Sequence, residues 1–220
     1  MGKLEMADKI GIIGFGNMGS VIAYQLSLNS AEYDVSVFEK DRIKVKELKG
    51  INFAQSTQDL ISKVDSVLLA VKPQDLDSLL KDIKRFIDRK LIITIAAGIS
   101  TSYIEKVLGE VRVIRAMPNI AAKIGESVTC LCAGKYAEAE DLEFAKEIFY
   151  YLGTVSIIEE EMMNAATAIS GSGPGYIYYF LESNQFEYNN IPEHAIHDMM
   201  KRLEKAALTL GFDLKQASFL

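Results

Sequence analysis

The sequence is poor in the residues that hold metal ions or form disulfides. Its 220 residues include two cysteines, Cys130 and Cys132, and two histidines, His194 and His197. So few cysteines exclude a disulfide-rich secreted domain and favour a reducing, cytoplasmic setting. The cysteines lie far from the histidines in sequence, so we expect no metal site. We expect Cys130 and Cys132 to be buried thiols on opposite faces of a strand, with no disulfide between them.

Positive charge and long apolar runs are also scarce. The 24 Lys and Arg residues are outnumbered by 30 Asp and Glu residues, which gives a net charge of -6. Nucleic acid and anionic membranes bind to basic faces, so we expect neither as a partner. Every apolar run is shorter than the about 20 residues of a membrane-spanning helix, and residues 10–13 are too few for the core of a secretion signal.

The chain does contain a regular alternation of short apolar runs with amphipathic stretches. The runs predict strands at residues 10–13, 34–38, 51–54, 67–71, 91–95, 111–116 and 128–133. Helical spacing of apolar residues predicts helices at residues 17–28, 40–48, 58–63, 76–87 and 100–108. Strands that alternate with helices predict an α/β fold with a doubly wound, mainly parallel sheet.

The pattern changes after about residue 160, beyond which no further strand is predicted. Helical spacing returns at residues 161–169, 176–183 and 192–210, with a glycine-rich break at residues 170–175. We therefore predict two domains. Residues 1–160 form the α/β domain, and residues 161–220 form a partial, all-helical C-terminal domain.

A G-x-G-x-x-G motif lies between the first predicted strand and the first predicted helix. It consists of Gly14, Phe15, Gly16, Asn17, Met18 and Gly19. The first glycine permits a tight turn, the second lets a pyrophosphate approach the backbone, and the third lets the helix pack closely on the sheet. The amide groups at the helix N-terminus favour phosphate. The motif predicts a Rossmann-type domain that binds a nicotinamide dinucleotide.

The end of the second predicted strand carries charges that bear on which dinucleotide binds. Glu39 can accept hydrogen bonds from an adenosine ribose, which favours NADH and repels a 2′-phosphate. Lys40 and Arg42 follow at once and can pair with that phosphate instead. The sequence therefore leaves both NADH and NADPH open.

Four further motifs follow predicted strands or open a helix. They are Ala70-Val71-Lys72-Pro73, Ala96-Ala97-Gly98-Ile99-Ser100, Arg115-Ala116-Met117-Pro118-Asn119 and Ser170-Gly171-Ser172-Gly173-Pro174. The order and the residues of these motifs resemble those of the pyrroline-5-carboxylate reductases of proline biosynthesis. The resemblance runs from residue 10 to about residue 183 and resumes at about residue 203.

The resemblance implies an oxidoreductase that reduces 1-pyrroline-5-carboxylate to L-proline with NADH or NADPH, in a homo-oligomer. The cofactor-binding residues it implies are Gly14, Phe15, Gly16, Asn17, Met18, Gly19, Glu39, Lys40, Ala70, Val71, Lys72, Pro73, Ala97, Gly98 and Asn119. It also implies catalytic roles for Asn119 and for Ser172, which would lie across the cleft from the first domain.

Two departures from the family bear on the C-terminal domain. Family members continue into further helices that form a dimer, and into a Ser-Pro-Gly-Gly-Thr-Thr stretch; neither occurs in this sequence, so we expect a truncated domain and an incomplete dimer-forming region. Residues 184–202 form an insertion. The alternative function is therefore a truncated, catalytically inactive dinucleotide-binding module with a helical partner-binding segment. Another imine or hydroxyacid reductase of similar build fits the motifs less well.

Overall fold

The computed structural model describes residues 7–29, 31–41, 43, 49–187 and 190–220. These residues contain an eight-stranded sheet in the order β3-β2-β1-β4-β5-β6-β7-β8. Its strands are β1 Asp8–Ile13, β2 Tyr33–Phe38, β3 Ile51–Phe53, β4 Ser66–Leu69, β5 Leu91–Thr94, β6 Arg112–Met117, β7 Ser127–Ala133 and β8 Gly153–Ile157.

All neighbouring strands of the sheet are parallel except β6 and β7. The connection from β6 to β7 holds only the 3-10 helix Ile120–Ile124, which is too short for the crossover that a parallel pair requires. The connections from β5 to β6 and from β7 to β8 each contain a helix and return the chain to the same end of the sheet. The prediction of a doubly wound, mainly parallel Rossmann-type sheet is confirmed.

Helices cover both faces of the sheet and then continue beyond it. They are α1 Asn17–Ser27, α2 Thr57–Ile61, α3 Pro73–Ile83, α4 Thr101–Leu108, α5 Ala139–Tyr150, α6 Met163–Ala166, α7 Gly173–Ser183, α8 Glu193–Thr209 and α9 Leu214–Phe219. The helix predicted at residues 40–48 lies largely outside the described residues. Within the described part of the chain, no helix is long and apolar enough to cross a bilayer.

One strand, β8, and two helices, α5 and α9, were not predicted. The predicted strands ended at residue 133, yet α5 and the edge strand β8 follow and extend the sheet. Strand β8 has the sequence GTVSI, and its residues are exposed or half-buried. A strand with one neighbour and no buried residue lacks the apolar run that revealed the central strands, which is why the sequence pattern missed it.

The two faces of the sheet support separate apolar clusters. On one face, Ile10 and Ile12 of β1 pack with Ile22 and Leu26 of α1. On the other face, Ile13 belongs to a cluster with residues of α2, α3 and α4. Burying one such aliphatic side chain contributes about 1.5–3 kcal/mol, so the two clusters fix the strand ends on which the functional loops are carried.

A third cluster joins the sheet to the C-terminal helices. It contains Met117, Cys130 and Cys132 from the sheet, together with residues such as Met163 and Phe212 from the helical segment. The predicted domain division at residue 160 stays a prediction, since side chains from both sides of it share this core.

The two cysteines are free and buried, as expected, but their predicted arrangement is wrong. Side chains alternate along a strand, so residues two apart share a face. Cys130 and Cys132 accordingly lie in the same cluster, while Leu131 between them packs on the other face. Burial raises the pKa of each thiol to about 12. They are therefore neutral core side chains at physiological pH, not nucleophiles.

The predicted break at residues 170–175 is instead a π-helical turn, Thr167–Gly171, that leads directly into α7. The backbone N–H of Ser172 donates to the carbonyl of Thr167, five residues earlier, at 2.9 Å. A single π turn absorbs one extra residue without ending the helix. The glycines here therefore mark a change of helical pitch, whereas the predicted helix at 192–210 is confirmed as α8.

Candidate functional site

The glycine loop between β1 and α1 is pressed against the end of β4. Gly14 has φ +104°, and a Cβ built there would lie 2.7 Å from the carbonyl oxygen of Ala70. A Cβ on Gly19 would collide with the carbonyl oxygen of Gly14. Both positions therefore require glycine for steric reasons, as the sequence motif predicts.

The middle glycine of the motif faces open space. Gly16 is the N-cap residue of α1, and nothing lies within 4 Å of a Cβ built on it. No side chain of the described residues caps this helix, so its first amide groups remain available to an anion. An uncapped helix N-terminus beside a residue without a side chain is the arrangement that admits a phosphate to the backbone.

A cavity of about 580 Å³ lies beside this loop. Seven of the predicted cofactor-binding residues line it: Gly14, Gly16, Glu39, Lys40, Ala70, Val71 and Lys72. The sequence analysis missed the part of the lining that comes from α3 and the start of α2, which is Thr57, Gln74, Asp75, Ser78, Leu79 and Asp82. Lys72-Pro73 marks the start of α3, and this signal could have added the first turn of that helix to the predicted lining.

The other predicted cofactor-binding residues lie outside this cavity. Phe15 is buried, with its ring packed edge-on against Phe53 at 5.7 Å between centroids. Asn17 and Met18 belong to the first turn of α1, and Pro73 begins α3. Ala97 and Gly98 are exposed beyond the end of β5, and nothing lies within 4 Å of a Cβ on Gly98.

The loops that carry these motifs follow neighbouring parallel strands. The order β2-β1-β4-β5-β6 places the ends of these strands side by side at one edge of the sheet. The loops that begin after Phe38, Ile13, Leu69, Thr94 and Met117 therefore occur along that edge in the same order. Extended nucleotides bind at this carboxyl edge in open α/β sheets, where the direction of the crossovers changes.

Glu39 is held in place by two backbone amides. The N–H of Phe15 donates to Oε2 at 2.7 Å, and the N–H of Asp41 donates to Oε1 at 2.9 Å. Each carboxylate oxygen can accept a further hydrogen bond, so the predicted role toward a ribose is compatible with this geometry. The adjacent Lys40 forms an ion pair with Asp75 across the cavity, at 3.5 Å between Nζ and Oδ1.

Asn119 and Ser172, the two predicted catalytic residues, make backbone hydrogen bonds. Asn119 is 9% exposed; its Oδ1 accepts from the N–H of Ala121 at 3.0 Å, and its Nδ2 donates to the carbonyl of Ser170 at 3.2 Å. Ser172 Oγ donates to the carbonyl of Thr167 at 3.1 Å. Both side chains thus hold the π turn and the loop after β6, and their catalytic roles stay predictions.

Curated relatives of known family match nearly the whole chain. It is 37% identical over 211 residues to the pyrroline-5-carboxylate reductase of Methanosarcina acetivorans, a match that covers 93% of this chain and 75% of that protein. It is 32% identical over 186 residues to the enzyme of Aquifex aeolicus, covering 83% and 69%. The chain belongs to the pyrroline-5-carboxylate reductase family.

Solved structures of the same family share the fold. The pyrroline carboxylate reductase of Plasmodium falciparum, solved with NADP bound, superposes with a TM-score of 0.74 at 27% identity, covering 98% of this chain and 83% of that one. A prephenate dehydrogenase of A. aeolicus has a TM-score of 0.66 at 15% identity, which shows only a shared fold. A family model described as NADP oxidoreductase coenzyme F420-dependent matches residues 9–98.

An ion pair that involves a buried guanidinium, which the sequence analysis missed, joins the sheet to the start of the C-terminal helices. Arg115 of β6 is 3% exposed, and its NH1 lies 3.4 Å from Oε1 of Glu160. Its NH2 donates to Oδ1 of Asn164 at 3.4 Å, whereas Nε has no hydrogen-bond partner among the described residues. Arg115 stands within the motif that ends at Asn119, but its neighbours in sequence give no sign that the partner is Glu160.

No metal centre is found in the described part of the reductase chain. No three His, Cys, Asp or Glu side chains there are grouped where they could hold a metal ion. His194 and His197 both lie on α8, distant in sequence from the motif loops.

Proposed function

We propose that the protein reduces 1-pyrroline-5-carboxylate to L-proline, with NADH or NADPH as the hydride donor. The observation that carries the proposal is the cavity beside the glycine loop, at the edge of the sheet where the family's motifs occur in order. Relatives that are 37% and 32% identical bear the name of this enzyme, and the relative from P. falciparum was solved with NADP.

The residues of the loop fit a dinucleotide. The pyrophosphate would meet the uncapped N-terminus of α1 and the open backbone at Gly16. Glu39 and Lys40 would face the adenosine ribose, and Ala70 with Val71 would continue the wall of the site. When bound, the cofactor supplies the hydride, and the protein binds and orients the two reactants.

The exposed loop after β5 and the π turn would border the site of reduction. Ala97 and Gly98 present little side chain there, so a flat ring could approach the backbone. In this proposal Asn119 fixes the backbone of Ser170, and through it the segment that contains Ser172. Direct catalytic contacts by Asn119 and Ser172 remain hypotheses that substitution at each position can test.

A cytoplasmic location and a homo-oligomeric state belong to the same proposal. The scarcity of cysteine favours a reducing compartment. The C-terminal segment exposes the large side chains of Tyr176, Tyr179, Leu210 and Leu214, and association with a second copy would remove such groups from water. Light scattering at increasing concentration would detect the oligomer as a multiple of the chain mass, and a strictly monomeric mass would contradict it.

The function is tested by mixing the purified protein with 1-pyrroline-5-carboxylate and either nucleotide, and by quantifying proline by chromatography. We expect proline to form in step with nucleotide oxidation, and neither to occur without the substrate. Nucleotide binding without any proline would favour the inactive dinucleotide-binding module. Oxidation with other cyclic imines, but not with this one, would favour a related imine reductase.

A further inference from the structure

We propose that the dinucleotide site selects NADH over NADPH, with Glu39 and Asp75 as the residues that exclude a 2′-phosphate. The inference rests on the proposed nucleotide site but not on the identity of the imine substrate. It adds to the proposed function a choice between the two cofactors and a specificity-determining residue, Asp75, that lies 36 positions after Glu39 on a different element.

Glu39 is the fixed negative charge of the site. It directly follows β2, at the position where an acidic side chain meets the adenosine ribose in dinucleotide-binding folds. The amides of Phe15 and Asp41 donate to its two oxygens and hold the half-buried carboxylate in place. Turning the carboxylate away to admit a phosphate would break both charge-assisted hydrogen bonds and leave an amide of the glycine loop without its acceptor.

Of the cations in the described lining, Lys40 directly follows Glu39, and it is paired with Asp75. Its Nζ lies 3.5 Å from Asp75 Oδ1, and its side chain is 77% exposed. An exposed pair of this kind is weak, so Lys40 could turn toward a phosphate. Doing so would leave the phosphate beside the carboxylate of Asp75, and the repulsion would cancel much of the gain.

Asp75 also opposes the second feature that could attract a phosphate, the N-terminus of α3. This helix has Lys72 as its N-cap residue, no side-chain cap, and Asp75 in its first turn. An acidic residue in the first turn already occupies the favourable end of the helix dipole. Among the residues that the structure describes, the lining carries three carboxylates, Glu39, Asp75 and Asp82, and two lysines, Lys40 and Lys72. The net charge of the lining therefore disfavours an added dianion.

The test compares two nicotinamide-free fragments, ADP-ribose and 2′-phospho-ADP-ribose, by titration calorimetry on the full chain. We expect the unphosphorylated fragment to bind about tenfold more tightly or better. The affinity ratio is that of ADP-ribose to 2′-phospho-ADP-ribose. It should fall by about tenfold in Glu39→Gln and by about twofold to threefold in Asp75→Asn, because the phosphorylated fragment binds more tightly to each variant. Asp88→Asn, an exposed position outside the cavity, makes the same charge change and should leave the ratio unaltered.

Equal or tighter binding of 2′-phospho-ADP-ribose by the unmodified protein would overturn the inference. Ratios in Glu39→Gln and Asp75→Asn that equal the Asp88→Asn ratio would also overturn it. The expected preference in a protein that forms no proline would support the inference while the proposed reaction failed. Binding of neither fragment to folded protein would defeat the nucleotide site and the inference together.

Discussion

The carboxylate of Glu160 accepts a 2.8 Å hydrogen bond from the backbone N–H of Thr101, a residue 59 positions earlier in the chain. Its other oxygen accepts from the hydroxyl of Thr101 at 2.5 Å, and Arg115 lies against the same carboxylate. Glu160 thus caps the first turn of α4 and compensates a buried guanidinium. One side chain thus joins the start of α4, the strand β6 and the start of the C-terminal helices.

Replacing Glu160 with Ala should therefore lower the free energy of unfolding by about 3 kcal/mol, since it leaves the charge of Arg115 uncompensated in the core. Glu160→Gln retains an acceptor for the amide of Thr101 and should cost less. Urea denaturation measures both. Glu161→Ala, at an exposed neighbouring position, is the matched control, and a loss there equal to that of Glu160→Ala would contradict this account.

The glycines of the nucleotide loop should respond differently to alanine. Gly16→Ala places a methyl group in open space, so stability should change by less than about 1 kcal/mol while nucleotide affinity falls sharply. Gly19→Ala drives its Cβ into the carbonyl of Gly14 and should destabilise the fold itself. Thermal unfolding with nucleotide titration separates the two effects. If the nucleotide affinity of Gly16→Ala is unchanged, the pyrophosphate does not bind at the N-terminus of α1.

The two buried thiols should make the protein less stable in alkaline solution. Burial raises the pKa of Cys130 and of Cys132 to about 12 from an ordinary value of 9.0. Above pH 9 the unfolded chain loses these protons while the folded protein keeps them, so deprotonation stabilises the unfolded state relative to the folded state. Stability should therefore fall between pH 9 and pH 12, by up to about 1.4 kcal/mol per pH unit for each thiol.

The double variant Cys130→Ala, Cys132→Ala isolates this effect from that of other groups that titrate in alkali. It should be less stable at neutral pH, because it loses packing, yet show a shallower decline of the unfolding free energy from pH 9 to pH 11. Equal slopes in the variant and the unmodified protein would mean that the thiols titrate alike in both states.

Asn119 provides a test of positioning against direct catalysis. Asn119→Asp keeps an acceptor for the amide of Ala121 but removes the donor to Ser170. If Asn119 acts by positioning, the free energy of unfolding should fall by about 1–3 kcal/mol and turnover should fall with it. Turnover that is lost while unfolding by urea is unchanged would instead indicate a direct chemical role. The same pair of measurements on Ser172→Ala shows whether its hydroxyl does more than bond to Thr167.

The sequence predicted the central sheet well because strands buried on both faces leave continuous apolar runs, such as Val67–Leu69 within β4. It predicted the glycine loop because the close backbone contacts at Gly14 and Gly19 leave no room for a side chain, so only glycine fits at these positions. It missed β8 because an edge strand is only half-buried, and it read the π turn as a break because glycine and serine also occur in loops. The pairing of Arg115 with Glu160 depends on tertiary packing that no local pattern encodes.

The central claim is that a nicotinamide bound beside the glycine loop gives its hydride to 1-pyrroline-5-carboxylate. The most direct measurement uses NADH that carries deuterium at both C4 positions and determines the mass of the proline formed. The account predicts proline that is heavier by one deuterium and formed in equal amount to the oxidised nucleotide. Proline without deuterium, or oxidation of NADH without any proline, would contradict it.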